Sequence, residues 1–188
     1  MTTAGFVLVG GRSRRMGRDK ALLPCDSGVL AQHVAAKAAS IAGSVALIGD
    51  PDRYSHLGID CLADLRTGFG PLAGLETALH SRRAEYNLVL ACDMPDLSAD
   101  HLKHLLHTAV ETSVNCVVTR DEDGRTHPLC AVYRDSCLPV ISKALDEGRL
   151  KLLDLVAELG AAFVSAQSPI RNINTAEDWE ALHPAHGF

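Results

Sequence analysis

No stretch of this sequence approaches the ~18 consecutive apolar residues that a membrane-spanning helix requires, so no membrane partner is expected. The first apolar run, Phe6 to Val9, is too short for the core of a secretory leader and passes straight into charged residues. Positive charge is not in excess. The 188 residues carry a formal net charge of −5, which argues against a nucleic-acid partner. No Cys-x-x-Cys occurs. The six cysteines (Cys25, Cys61, Cys92, Cys116, Cys130 and Cys137) are scattered, most of them in apolar, strand-like surroundings. That spacing does not suit a zinc site, and it fits reduced, buried thiols in a cytoplasmic protein. There is no internal repeat, low-complexity segment or linker. One domain spanning residues 1–188 is therefore expected, with 47% hydrophobic residues to fill its core.

What is present alternates. Strand-like runs at Phe6–Val9, Val45–Ile48, Gly58–Ala63 and Asn87–Ala91 are separated by helical spacing at Val29–Ile41 and from Gly70-Pro71 to His80. Further on, Ser98 caps a helix to Val110, and Cys116–Arg120 and Leu129–Tyr133 flank the polar turn Asp121–Gly124. Helices over Asp135–Glu147 and Leu150–Leu159, a strand over Ala161–Ser165 and a final helix capped by Thr175 complete the reading. This order predicts an α/β fold: a three-layer αβα arrangement with a Rossmann-like, mostly parallel sheet and helices on both faces. Asn87–Ala91, continuously apolar, suits a central parallel strand.

The densest chemistry follows the first strand, in Gly10-Gly11-Arg12-Ser13-Arg14-Arg15-Met16-Gly17-Arg18-Asp19-Lys20. Glycines let backbone N–H groups converge on a ligand, and arginine and lysine add positive charge, which together suit a triphosphate. Four arginines within seven positions repel one another unless an anion lies among them. The spacing fits neither the Walker loop nor the Gly-x-Gly-x-x-Gly fingerprint. A solvated basic loop is the competing reading. Asp19 is expected to pair with loop arginines.

Two carboxylates close predicted strands. Asp93, after Asn87–Ala91, sits where open α/β sheets bind ligands and can hold Mg²⁺ beside substrate phosphates; capping the next segment is its alternative role. Asp64, after Gly58–Ala63, can accept hydrogen bonds from a ligand's donors or serve as a turn residue. Gly70 and Pro71 open a helix, whose N-terminus favours anions. Asn172 and Asn174 flank Ile173 and share a face if extended, within reach of metal or phosphate oxygens or of a helix cap. The histidines at 33, 80, 101, 104 and 107 fall on predicted helices and are expected to be mostly solvated, and Trp179 to pack.

The first motif resembles the N-terminal signature of nucleotidyltransferases of glycosyltransferase-like α/β fold, most closely the molybdenum cofactor guanylyltransferases. Asp64 with Gly70-Pro71-Leu72-Ala73-Gly74-Leu75, Cys92-Asp93-Met94-Pro95, His127-Pro128 and Asn172–Asp178 resemble the later motifs in the same order. The resemblance implies GMP transfer from GTP to molybdenum-bearing molybdopterin, with Mg²⁺ as cofactor and pyrophosphate released. It implies catalytic Arg15, Lys20 and Asp93, and nucleotide contacts at Leu8, Val9, Gly10, Gly11, Arg12, Ser13, Lys20, Asp64, Gly70, Pro71 and Asp93. It puts His127, Asn172 and Asn174 on the acceptor side and Asp93 with Asn174 at the metal. Transient contacts with molybdenum-cofactor biosynthesis proteins and molybdoenzymes are implied as well. Two places depart from the family pattern: Val9 replaces a common alanine, and Ile48-Gly49-Asp50 lacks an asparagine, for which Asp50 is the candidate substitute. A cytidylyltransferase, a sugar-phosphate nucleotidyltransferase and a non-catalytic nucleotide-binding module are the rival readings.

Overall fold

The computed structural model describes residues 1–10, 19–25, 28–166, 168–175 and 177–179. β1 (Thr3–Leu8) opens the chain, and a 3₁₀ turn (Lys20–Leu22) leads to the short antiparallel pair β2 (Pro24–Cys25) and β3 (Gly28–Val29). Next come α1 (Leu30–Ala42), β4 (Val45–Ile48), α2 (Pro51–Tyr54), β5 (Cys61–Leu62), α3 (Pro71–His80) and β6 (Tyr86–Ala91). The remainder is α4 (Ala99–Thr112), β7 (Cys116–Arg120), β8 (Thr126–Arg134), α5 (Leu138–Asp146), α6 (Leu152–Glu158) and β9 (Ala162–Ser165).

The main sheet has seven strands in the order β5-β4-β1-β6-β8-β7-β9. All run parallel except β8, which is antiparallel to both β6 and β7. Side chains alternate across the pleat. Val7 and Leu90 join Leu30, Val34, Leu102 and Leu105 under α1 and α4. Phe6 and Val89 join Leu72, Leu75, Ile141 and Leu155 under α3, α5 and α6. Each large apolar side chain buried this way contributes about 1.5–3 kcal/mol relative to exposure, so the two clusters fix the sheet between its helical layers.

β4 and β7 have the predicted bounds, and α3 starts at Pro71 as expected. The third strand is shorter than Gly58–Ala63, because Gly58 ends a 3₁₀ turn in the left-handed region (φ +72°) and only Cys61–Leu62 pairs with β4. β8 is longer than Leu129–Tyr133. Pro128 lies inside it without breaking it, because the register against β7 slips at Val118/Thr119 where an amide donor would otherwise be needed.

Candidate active site

β1 and β6 are neighbours, in register from Thr3↔Tyr86 to Leu8↔Ala91, so their carboxyl ends lie side by side. From β1 the chain crosses by way of α1 to β4 on one side, while β6 lies on the other. A crevice opens at such a switch point. Here it is a cleft of about 730 Å³. Leu8, Val9, Gly10, Lys20, Asp64, Gly70, Pro71 and Asp93 line it, so eight of the residues expected at the nucleotide come together. Gly11, Arg12, Ser13 and Arg15 lie outside the described residues.

Lys20 and Asp93 face each other. The Lys20 ammonium is 3.8 Å from Asp93 Oδ2 and donates to Asn174 Oδ1 at 3.0 Å. The residue after Asn172 ties its segment to the same place: the Ile173 amide donates to the Asp93 carbonyl at 2.9 Å. Asp178 accepts from the amides of Asn174 and Thr175, both at 2.8 Å, and Thr175 Oγ1 accepts from the Asp178 amide at 3.1 Å, the reciprocal cap expected there. Ile173 and Trp179 are buried in the α1–α4 core, which anchors Asn174 from both sides. Asn172 is exposed and is not among the cleft residues.

Asp93 Oδ1 is buried and has no hydrogen-bond partner among the described residues. Burial raises the carboxyl pKa, and the Lys20 charge pulls it back. A buried carboxylate oxygen without a donor fits a cation. No cluster of three or more His, Cys, Asp or Glu among the described residues could hold a metal alone. An Mg²⁺ ion on Asp93 would therefore draw its other oxygens from substrate phosphates, water and Asn174, as that ion commonly does. Asp64 enters the cleft from the segment after β5, and burial raises its pKa also.

That segment is held from behind. The Leu65 amide donates to Thr77 Oγ1 at 3.0 Å. Arg66, a cleft residue that sequence reading passed over, spans Glu76 with Nε (2.8 Å) and Nη2 (3.1 Å), and its Nη1 reaches Asp146 at 2.6 Å. Gly70 then adopts φ +70°, ψ −159°, a conformation open essentially to glycine, and delivers Pro71 as the first residue of α3. Cys92 also lines the cleft, but burial pushes its thiol up to about 12, so it is no nucleophile near neutral pH.

The loop arginines expected beside Asp19 lie outside the described residues; among the described ones Asp19 accepts from Arg53 (2.6 Å), Tyr54 (2.7 Å) and the Ala21 amide (3.1 Å), because α2 folds against it. Two expectations need correction. Asp50 caps α2, accepting from the Asp52 amide at 3.0 Å, and is not among the cleft residues. His101 is buried: Ser98 caps α4 and turns the imidazole inward onto Thr119 Oγ1 at 2.8 Å. His80, His104 and His107 are exposed as expected. His127 sits near the start of β8, its Nε2 3.0 Å from Asp121 Oδ2, and is absent from the cleft lining, although Leu129 two residues on is present.

Sequence comparison meets this geometry at the family level. Residues 5–162 match the family profile of the MobA-like NTP transferase domain. The chain belongs to that family. Among MobA-like relatives, a protein of Flavobacterium johnsoniae named "Probable molybdenum cofactor guanylyltransferase" is 30% identical, with 97% of each chain covered. One of the same name from Mycobacterium marinum is 34% identical over 99% of this chain and 96% of its own. The crystal structure of molybdopterin-guanine dinucleotide biosynthesis protein A from Archaeoglobus fulgidus superposes with a TM-score of 0.82 at 23% identity, covering 96% of this chain and 97% of that one. The MobA-like fold thus accounts for the mostly parallel sheet.

Proposed function

We propose that this nucleotidyltransferase moves GMP from GTP to the terminal phosphate of molybdenum-bearing molybdopterin and releases pyrophosphate. The observation that carries the reading is Lys20 opposed to Asp93 across 3.8 Å in one cleft, a cation for phosphate beside a carboxylate for metal. The relatives' names supply the acceptor and the base.

In this reading the acceptor's phosphate oxygen attacks the α-phosphorus in line, a new P–O bond forms, and the bond to the bridging β-phosphate oxygen breaks. Positioning and charge neutralisation dominate such chemistry. Lys20, the Gly10 amide and the sequence-assigned Gly11, Arg12, Ser13 and Arg15 hold the β and γ phosphates and stabilise the departing pyrophosphate. Asp93 would hold Mg²⁺, with Asn174, which accepts from Lys20, close enough to add an oxygen. When bound, Mg²⁺ neutralises charge on the reacting phosphates. Leu8, Val9, Asp64, Gly70 and Pro71 seat the nucleoside. His127, braced by Asp121, and Asn172 face the acceptor. No general base is required, because the attacking phosphate oxygen is already ionised near neutral pH. The whole chain acts as one domain, in a reducing cytoplasm that suits its six scattered cysteines, and it meets cofactor-biosynthesis proteins and molybdoenzymes transiently.

The test supplies purified protein with Mg²⁺, the molybdopterin cofactor and each of GTP, CTP, UTP and ATP. Pyrophosphate and a guanine dinucleotide are expected with GTP. Pyrophosphate with CTP alone, or nucleotide binding with no pyrophosphate, would overturn the proposal.

A further inference from the structure

The lysine at the centre of the cleft is itself held by a short chain of contacts that starts far away in sequence. Asp19, directly before Lys20, uses both carboxylate oxygens. Oδ1 accepts from the Ala21 amide at 3.1 Å and caps the 3₁₀ turn that starts at Lys20. Oδ2 accepts from the Tyr54 hydroxyl at 2.7 Å and from Arg53 Nη2 at 2.6 Å. The Asp19 side chain is only 10% exposed, so it depends on these donors. Arg53 is 53% exposed, and an ion pair so open to solvent contributes little. Tyr54 is fully buried on α2 and is the donor with a fixed position. Burial and the Asp19 charge raise its pKa, so the hydroxyl keeps its proton at any working pH.

The ring lies close to two glycines. A Cβ on Gly10 would lie 3.6 Å from the Tyr54 hydroxyl, and one on Gly49 would lie 3.2 Å from Cε2 and 2.6 Å from the Val9 carbonyl. Tyr54 therefore touches the backbone just past β1 and also holds the carboxylate that sets the Lys20 turn. It links the end of the strand to the lysine through one hydroxyl.

We propose that Tyr54 is a positioning residue for the triphosphate site, acting through the Asp19 carboxylate to fix the backbone from which Lys20 reaches the cleft. The proposal rests on reading Lys20 as a triphosphate ligand. Tyr54 touches no reacting atom; it sets where the ammonium stands between Asn174 and Asp93.

The experiment is calorimetric binding of the best-bound triphosphate among GTP, CTP, ATP and UTP, and of the matching monophosphate, to wild type, Tyr54→Phe, Lys20→Ala and the double variant. Phenylalanine keeps the ring and removes only the hydroxyl. Triphosphate affinity is expected to fall about tenfold in Tyr54→Phe, the scale of one hydrogen bond to a charged group, with monophosphate affinity unchanged. In the Lys20→Ala background the same change is expected to cost less than twofold, because the group being positioned is gone. Equal losses for both ligands, no loss for the triphosphate, or a second full tenfold loss in the double variant would each overturn the proposal. Equal triphosphate binding by wild type and Tyr54→Phe overturns the positioning role and leaves the functional reading standing. A wild type that binds no triphosphate overturns both. Should Tyr54→Phe fail to fold, Asp19→Ala breaks the same link and carries the same expectations.

Discussion

The two oxygens of Asp93 do different things, and both bear on turnover. Oδ2 faces the Lys20 ammonium at 3.8 Å, and Oδ1 is buried with no partner among the described residues. An alanine at 93 removes both. Turnover at saturating GTP is then expected to fall about a hundredfold or more, the usual scale for a charge contact realised in the transition state. Pyrophosphate release measures it, and an alanine variant within threefold of wild type would take the metal role away from Asp93. Lys20 gives a prediction with two signs. In the proposed reading its charge serves the triphosphate, but in the free protein it also stands 3.8 Å from Asp93, where it would oppose a cation on that carboxylate. Lys20→Ala is expected to weaken GTP binding and, without nucleotide, to bind Mn²⁺ severalfold more tightly by spin-resonance titration. Weaker Mn²⁺ binding would show that the lysine does not oppose the cation. Lys20 and Asp93 were legible in the sequence because each ends a local motif, strand then glycine or strand then proline. The Asp19–Tyr54 bond was not legible, since 35 positions separate its partners and only the fold joins them.

At the scale of elements, the apolar runs and caps identified most of the strands and helices, and the errors have particular causes. α2 was missed because it is four residues long, although Asp50-Pro51 is a cap followed by a first-turn proline. His101 was misjudged because helical position alone does not tell which face meets a sheet. In α4 the N-terminal turn packs on β7 and β8, so the imidazole meets Thr119, whose hydroxyl is 2.7 Å from the Cys130 carbonyl and donates to it. That leaves Thr119 Oγ1 to accept from His101 Nε2–H, and it fixes the neutral tautomer. Burial, with the neighbouring His104 adding to it, holds the folded-state pKa of His101 below its ordinary value of 6.5. As pH falls the unfolded chain takes up this proton first. The stabilisation is therefore present above pH 6.5 and is lost progressively below it, towards the lowered folded value. The thermal midpoint of the wild type is expected to drop between about pH 7 and pH 5, and more steeply than that of His101→Gln, whose amide can still donate to Thr119 without titrating. Parallel pH profiles for the two proteins would show that His101 is not the group responsible.

For the whole molecule, the mostly parallel sheet followed from alternating strand and helix signals, but the reversal of β8 did not. The polar turn Asp121–Gly124 joins β7 to β8 as neighbours, and that local link makes β8 the one antiparallel strand. The consequence is functional: β8 starts beside the carboxyl end of β6 and runs towards its amino end, which puts Leu129, near that start, in the cleft wall. The segment that carries Asn174 returns from late in the sequence to Lys20 and Asp93, and is pinned by Ile173 and Trp179 in the same cluster as Val7, Leu30 and Leu90. If that segment is part of the main core, it cannot leave Lys20 and Asp93 independently of the sheet. The chain has a single tryptophan, so its fluorescence reports on this segment alone, while far-ultraviolet circular dichroism reports on the sheet and helices. The two signals are expected to give one coincident unfolding transition in urea, as a single cooperative unit requires. A tryptophan transition at clearly lower urea would mean that the Asn174 segment detaches first, and that the contact it makes with Lys20 opens and closes while the sheet stays folded.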